Sequence, residues 1–519
     1  MIFYRSHVTC SLLLSTLLLF TGPSLAQDCR GRERVREAIQ AQGGEALLRS
    51  IHSAQWEFAS VRNQLEQSER PMGPYIPEYL EIQEHHDYPR HAYSVETQLS
   101  VYPVFTTKQT TVVAQDTAMR IVGTQAVPGR YSDLQNAREA MAISPEHLLL
   151  SALDAPDLQE RRDEIFQGVL HHVVSFSLDG SPVIVRLNAD THLPTAVDYS
   201  GPIARSGYGA FLGDVTLRTL FGFWWLAKGG VRLPMQWNVE LNGLPSQVFS
   251  VKRLRMNEDS EEDAFEIPAS IRSSFAEHAK SSSLEDFPLG SPADPPKEIA
   301  LGVVLIPGAW NVTLISQDDG IVILEAPISS GYSVRVIEEA GRRFRGKKIK
   351  AVITTSDSWP HLAGIREYVA RGIPIYALDS NRAVLERTVS APHTAHPDTL
   401  QLRPREPQWH LIDQATMLGG GKNRLEIIPM RGETTERQQM VYFPEHHLLY
   451  GSDPFQRQQQ GSGFFYPQTV SELRDAVTRN HLTVDKFFMM HVDVSSWSEI
   501  DSSLQRAIST DSLNGTMTF

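Results

Sequence analysis

KAVITTSDSWPHLAGIREYVARGIPIYA, residues 350–377, changes its pattern several times within one short stretch. It opens on Ala351-Val352-Ile353-Thr354, an apolar and β-branched run that predicts a buried strand. A polar loop, Thr355–Pro360, follows. From His361 the residues Leu362, Ile365, Tyr368 and Val369 recur at helical spacing. Gly372 closes that helix, and Ile373–Ala377 predicts a second short strand. In such a strand–loop–helix–strand unit the loop lies outside the carboxyl end of the first strand, where open α/β sheets place their chemistry. His361 stands at the start of the helix, beside that loop.

The flanking sequence continues the α/β texture. Val303–Leu305, Asn311–Ile315 and Ile321–Leu324 predict strands, the last two joined at Asp319-Gly320. Tyr332–Phe344 predicts a helix. Beyond the unit, helices are expected at Ser380–Val389, Val470–Asn480 and Ser496–Ile508. Strands are expected at Leu425–Pro429, Gln439–Phe443, Leu448–Tyr450 and Phe487–Met490.

With these elements in place, residues 299–519 resemble the metallo-β-lactamase fold superfamily. The family's signature is a strand, then H-x-H-x-D-H, then a glycine-containing helix. The matching hexad is Ser356-Asp357-Ser358-Trp359-Pro360-His361, in which the last position keeps the family residue. The resemblance implies an αββα sandwich. Glu325-Ala326-Pro327 falls where the family often has an acidic residue.

The resemblance also assigns ligand positions. The first metal's three imidazoles match Ser356, Ser358 and Thr434, with Glu433 near if the alignment slips by one. Hydroxyls are poor zinc ligands. The second metal's set matches Pro360, His361 and His491, and the bridging carboxylate matches Asp453. His361, Asp453 and His491 therefore remain as candidate metal ligands. Two imidazoles and a carboxylate suit one zinc ion with an open position, and would also suit ferrous iron. Asp357, one residue out of the family's phase, is a candidate catalytic base or substitute ligand; the alternative is a solvated loop carboxylate. Two functions follow. One is a hydrolase with a reduced, at most mononuclear zinc site, in which the metal acidifies water. The other is a catalytically inactive binding or scaffold protein, in which His361 caps its helix and Asp453 bonds nearby amides. His393 and His396, at i, i+3 in a Pro-bounded loop, are a weaker metal hint. The pairs His85-His86, His171-His172 and His446-His447 are expected to face solvent.

The first half of the chain has a different texture. Arg5 and His7, the apolar run Leu12–Phe20 and the small-residue site Ser24-Leu25-Ala26 predict a signal peptide over residues 1–26, hence an exported, periplasmic or secreted protein. The run is too short for a membrane span, and no transmembrane span is expected in the mature chain. Removing the leader removes Cys10 and leaves Cys29 alone. Residues 27–272 predict an antiparallel β domain with a few helices, including one capped by Ser144 with Pro145 at its first position. Its clearest hairpins turn at Asp179-Gly180 and Asn242-Gly243. Asp190-Thr191-His192-Leu193-Pro194 and Gly230-Val231-Arg232-Leu233-Pro234 resemble the periplasmic lipoprotein-carrier half-barrel, a family whose curved sheet holds a hydrophobic ligand. Phe221-Gly222-Phe223-Trp224-Trp225 reads as core or as the wall of such a groove. Residues 273–298, rich in Ser, Pro and acids, are expected to be a linker with almost nothing to bury.

The length of 519 residues predicts more than one domain, and 41% hydrophobic with 21% charged residues are ordinary for a globular protein. A net charge of −13 argues against a nucleic-acid partner, since phosphate binding needs a basic face. Neither a phosphate-cradling nor a dinucleotide motif occurs; Gly419-Gly420-Gly421-Lys422 lacks the following Ser or Thr. The substrate, small-molecule or hydrophobic, is not written in these residues.

Overall fold

The computed structural model describes residues 25–65, 73–101, 105–201, 212–258, 264–280, 287–453 and 466–508. The expected leader lies outside them except for Leu25 and Ala26, which open a helix running to Gln42.

Between Ser53 and Met256, fourteen strands among the described residues form one antiparallel sheet. Ser53–Gln64 pairs with Leu244–Met256 near its middle. From these two strands the sheet runs out to Gln125–Pro128 on one side and Gln159–Glu160 on the other. Period-two alternation sets the faces: Ala54, Trp56, Phe58 and Ser60 point inward from one strand. Both predicted hairpins are present. Asp179 and Gly180 have φ 49° and 80°, and Asn242 and Gly243 have 48° and 81°. These are the left-handed pairs that a two-residue turn needs to match strand twist. The helices Leu25–Gln42, Glu45–Arg49 and Leu148–Asp154 cover the inner face. Val35, Ile39, Leu48 and Leu149 pack there against Trp56, Phe58, Phe176 and Leu233.

Several expectations fail here for local reasons. The helix expected from Ser144 begins at Leu148. Residues 144–147 form a turn instead, and the Glu146 side chain is drawn inside, where it accepts from Trp56 Nε1 (3.2 Å) and Tyr88 OH (2.8 Å). Strand parity buries one histidine of each of two pairs, His86 and His171. His86 Nδ1 lies 3.1 Å from Glu146. Burial pulls the His86 pKa down, but the Glu146 and Glu84 carboxylates outweigh it and hold it at about 9. The helix Tyr131–Ile143 lies outside the expected elements; Leu134 and Ala137 are buried on its apolar face, with Ala140 and Met141 partly buried beside them.

The linker expectation also needs correcting. Residues 269–280 form a helix. Ile271 and Phe275, one turn apart, are buried against Val112 and Tyr93 of the sheet, while the serines face out. Phe287 and Leu289 pack on the next core, and Phe287 O accepts from Arg335 Nη2 at 2.6 Å.

From Lys297 onward two sheets stack. Among the described residues, seven strands, Lys297–Ala300 to Trp409–Ile412, form one and six, Thr416–Leu418 to Val492–Ser496, form the other. Their facing residues make one core, Val303, Leu305, Val322 and Ile353 against Ile427, Val441, Phe443 and Phe488. The helices Ser330–Arg343, Ile365–Ala370 and Arg382–Ser390 cover the outer face of the first sheet. Pro467–Arg479 and Ser498–Ile508 cover that of the second. The order of layers is therefore α, β, β, α. Val215 of the antiparallel sheet and Leu212 just before its strand join the first of these outer cores. Asp214 between them accepts the N–H groups of Thr394 (2.8 Å) and Ala395 (3.1 Å). Among the described residues no helix is long and apolar enough to cross a membrane.

Candidate functional site

The site forms where two parallel strands end side by side. Gly320–Leu324 pairs with Ile349–Ile353, and each runs directly into a polar residue. After the first comes Glu325, fully buried, with φ +79°, a conformation that a glutamate adopts only under constraint. Its N–H is fixed on Ile353 O at 2.8 Å. After the second comes the loop Thr354–Ser358, buried from Thr354 to Asp357. Thr355 Oγ1 donates to Glu325 Oε1 and lies 2.8 Å from Ser452 Oγ.

The predicted single helix is in fact two short ones, Trp359–Leu362 and Ile365–Ala370, broken at Gly364. A Cβ at Gly364 would collide with Ser333 Oγ and come within 2.6 Å of Ser329 O, so only glycine lets the chain pass. The first turn presents His361 inward, fully buried. Its Nδ1 lies 3.0 Å from Glu325 Oε1, and its Nε2 faces Asp453 Oδ2 at 3.7 Å. On the far side of Asp453, Oδ1 lies 3.3 Å from His491 Nε2. His491 Nδ1 is 2.7 Å from Ala309 O, which fixes Nδ1 as the donor and leaves Nε2 toward Asp453. Asn311 ties the two loops together through Met490 O (to its N–H, 2.9 Å) and Met489 O (to Nδ2, 2.9 Å).

Glu325, His361, Asp453 and His491 thus form an alternating chain of carboxylates and imidazoles. Burial lowers the pKa of His361, but the Glu325 charge and the Asp453 contact outweigh it and push it up to about 10. Burial likewise raises that of Asp453, yet the two imidazoles bring it down to about 2. His491 is raised because Asp453 outweighs its burial.

The three residues expected as metal ligands are therefore neighbours in space. Tetrahedral zinc with bonds of about 2.0–2.2 Å sets adjacent donors roughly 3.3–3.6 Å apart, close to the 3.3 and 3.7 Å found. His361 Nε2 and Asp453 Oδ1 are buried, and their ion-pair contacts to Asp453 Oδ2 and His491 Nε2 do not have hydrogen-bond geometry. Each imidazole has its Nδ1 anchored on an oxygen, the arrangement that orients metal-ligating histidines. In chemistry and spacing the residues fit one ion. In disposition they fall short, because the imidazoles address opposite oxygens of Asp453. Among the described residues no group of three His, Cys, Asp or Glu is disposed to hold a metal as it stands.

The other ligand positions are committed elsewhere. Thr434 Oγ1 donates to Glu472 Oε2 at 2.9 Å, as does Thr435 Oγ1 at 2.9 Å. The N–H groups of Thr434 and Thr435 bond the same carboxylate at 3.1 and 2.9 Å. Burial works to raise the Glu472 pKa, but these donors outweigh it and hold it low. Ser356 Oγ accepts from Ser358 N at 3.3 Å. Glu472 gave no signal in the sequence, since it sits in an ordinary amphipathic helix. Glu325 was visible as an acid after a strand, but not as the partner of His361.

Asp357 is not a solvated loop carboxylate. It is 7% exposed, its Oδ2 has no partner, and burial pushes its pKa up to about 7. His393 is buried and His396 exposed, so that pair does not converge on one point.

No protein-family model matches the chain, and no curated protein matches it. Among solved structures it is similar to the DIM-1 metallo-β-lactamase, at 15% identity and TM-score 0.32, over 40% of this chain and 94% of that one. It is similar to the metallo-β-lactamase FIM-1 from Pseudomonas aeruginosa in its mono-zinc form, at 13% identity and TM-score 0.32, over 42% and 96%. The sec-alkylsulfatase Pisa1 from Pseudomonas sp. is also similar, at 14% identity and TM-score 0.31, over 40% of each chain.

Proposed function

We propose that residues 299–519 form an exported hydrolase of the metallo-β-lactamase fold. On this reading it acts on a small or hydrophobic molecule, with a reduced site that takes at most one zinc ion on His361, Asp453 and His491. The observation that carries the reading is the convergence of two Nδ1-anchored imidazoles on Asp453, with His361 Nε2 buried against it. A second ion has no support, because Ser356, Ser358 and Thr434 offer neutral hydroxyls and Thr434 is held by Glu472. A bound ion would supply Lewis acidity. The chain's own residues supply the rest. Glu325 and Ala309 fix the two imidazoles, and His361, Asp453 and His491 would hold the ion. His361 must give up its second proton first, so binding strengthens as pH rises. Asp357, buried and titrating near neutrality, is the group to accept or hold a proton beside the loop.

A second reading has its own observation: the Glu325–His361–Asp453–His491 chain is self-neutralising without any metal. It makes the domain a metal-free binding protein. Elemental analysis of native, unchelated protein separates the two. One ion per chain, lost in His491→Ala, supports the hydrolase reading. Two ions refute the reduced site. No ion, together with no activity on ester, lactone and β-lactam panels, leaves the binding protein.

A further inference from the structure

The antiparallel sheet exposes large apolar side chains at one of its ends. The strand Val215–Leu226 leads into the turn Ala227–Val231 and returns as Arg232–Leu241. Phe221 is buried, but Phe223, Trp225 and Leu226 are 71%, 58% and 60% exposed. Phe223 has φ +56°, a conformation costly to a bulky side chain. The ladder resumes after it, from Gly222↔Gln236 to Trp224↔Pro234. The strand therefore keeps its register around a strained residue.

The strands from Val169–Leu178 to Val215–Leu226 are consecutive antiparallel neighbours. The turn before the first and the turn after the last consequently open at the same end of the sheet, three strand spacings or roughly 14 Å apart. The turn before the first adds Ile165 and Leu170, cross-strand partners that are 70% and 44% exposed. The acids beside it, Asp163 and Glu164, are paired with His172 and Arg186.

The hairpin's own charge opposes that of the chain, although the neighbouring turn at this end, between Ser181–Asn188 and Pro194–Gly201, carries the exposed Asp190. The net charge is −13, yet residues 221–234, FGFWWLAKGGVRLP, hold Lys228 and Arg232 and no acid. Arg232 steadies the turn by donating to Ala41 O at 2.5 Å, and Lys228 is exposed. Tryptophan, phenylalanine and leucine exposed beside one free lysine on a hairpin match the chemistry of a membrane interface.

We propose that this end of the sheet, with Phe223, Trp225 and Leu226 inserted and Lys228 above them, docks on the surface of an anionic lipid bilayer. Contact of this kind is peripheral and depends on salt, because its electrostatic part is screened within a Debye length.

The test is flotation of the full chain with two kinds of vesicle, phosphatidylcholine alone and phosphatidylcholine mixed with phosphatidylglycerol. Circular dichroism controls for folding. Wild-type protein is expected to float with the mixed vesicles and to be released by salt. The variant Phe223→Ser/Trp225→Ser/Leu226→Ser should lose the bound fraction. Lys228→Ala should weaken binding to the mixed vesicles by about fivefold and leave the neutral ones unchanged. Both variants keep the same N-terminus as wild type, so its apolar run does not enter the comparison. Equal flotation of wild type and the triple variant would overturn the proposal, as would no flotation of wild type. Self-association of wild type that the triple variant abolishes, without vesicle binding, would overturn it in favour of a second copy as the partner.

Discussion

Replacing Glu325 by Gln removes a charge 3.0 Å from His361 Nδ1, in a place where neither side chain reaches solvent. Leaving one member of a buried ion pair uncompensated costs about 3–5 kcal/mol. Asp453, 3.7 Å from Nε2, still faces the imidazole, so the expected loss lies at or below the lower end, about 2–3 kcal/mol. The pH dependence follows from the direction of the shift. His361 is held protonated up to about 10, against 6.5 for an ordinary histidine. A group with a raised pKa contributes stability that is fully present below 6.5 and is lost as pH rises through about 10. Asp453 behaves oppositely: its pKa is brought down to about 2 from 3.8, so its share is present above 3.8 and lost as pH falls toward about 2. Urea unfolding of chelated protein, near neutral pH and again above about 10, reads the first effect. Wild type should lose stability across that interval, and Glu325→Gln should start lower and lose less. A variant cost below about 1 kcal/mol with an unchanged pH slope would refute the account of Glu325 as the group that holds His361 charged.

Glu472→Ala strands the N–H and hydroxyl groups of Thr434 and Thr435, and should cost about 3 kcal/mol in the denaturation midpoint of this unit; Glu472→Gln, which keeps one acceptor oxygen, should cost about half as much. Because the Glu472 pKa is held low, its contribution is present above 4.5 and should fade in acid, which a pH series of melting curves would show. Gly364→Ala forces a methyl against Ser333 Oγ and Ser329 O and should cost about 1–3 kcal/mol. It should also weaken any metal retention by shifting His361, a change readable by competition with a chelator. Mass spectrometry of exported protein should find Gln27 as its first residue, and an intact Met1 would contradict the leader assignment.

Much of the fold is local in origin and was legible in the residues. Three strands of the second small sheet, Leu425–Pro429, Gln439–Phe443 and Leu448–Tyr450, fall where their apolar runs put them, because a strand buried on both faces writes a continuous apolar segment. The two hairpins turn at Asp-Gly and Asn-Gly, because left-handed backbone is cheapest for those residues. The expectation that His361, Asp453 and His491 share a site came from the order of strands and loops in a resemblance, not from spacing, since 130 positions separate the first from the last. Tertiary structure alone decided the remainder. Glu325 meets His361 because two parallel strands end together, and Glu472 takes Thr434 because a distant helix packs beneath that loop. Asp357 is buried although its loop is polar, and Phe223 and Trp225 are exposed although their stretch is apolar. In each of these cases composition sets what a side chain prefers, while the neighbours that set its dielectric and its partners come from elsewhere in the chain.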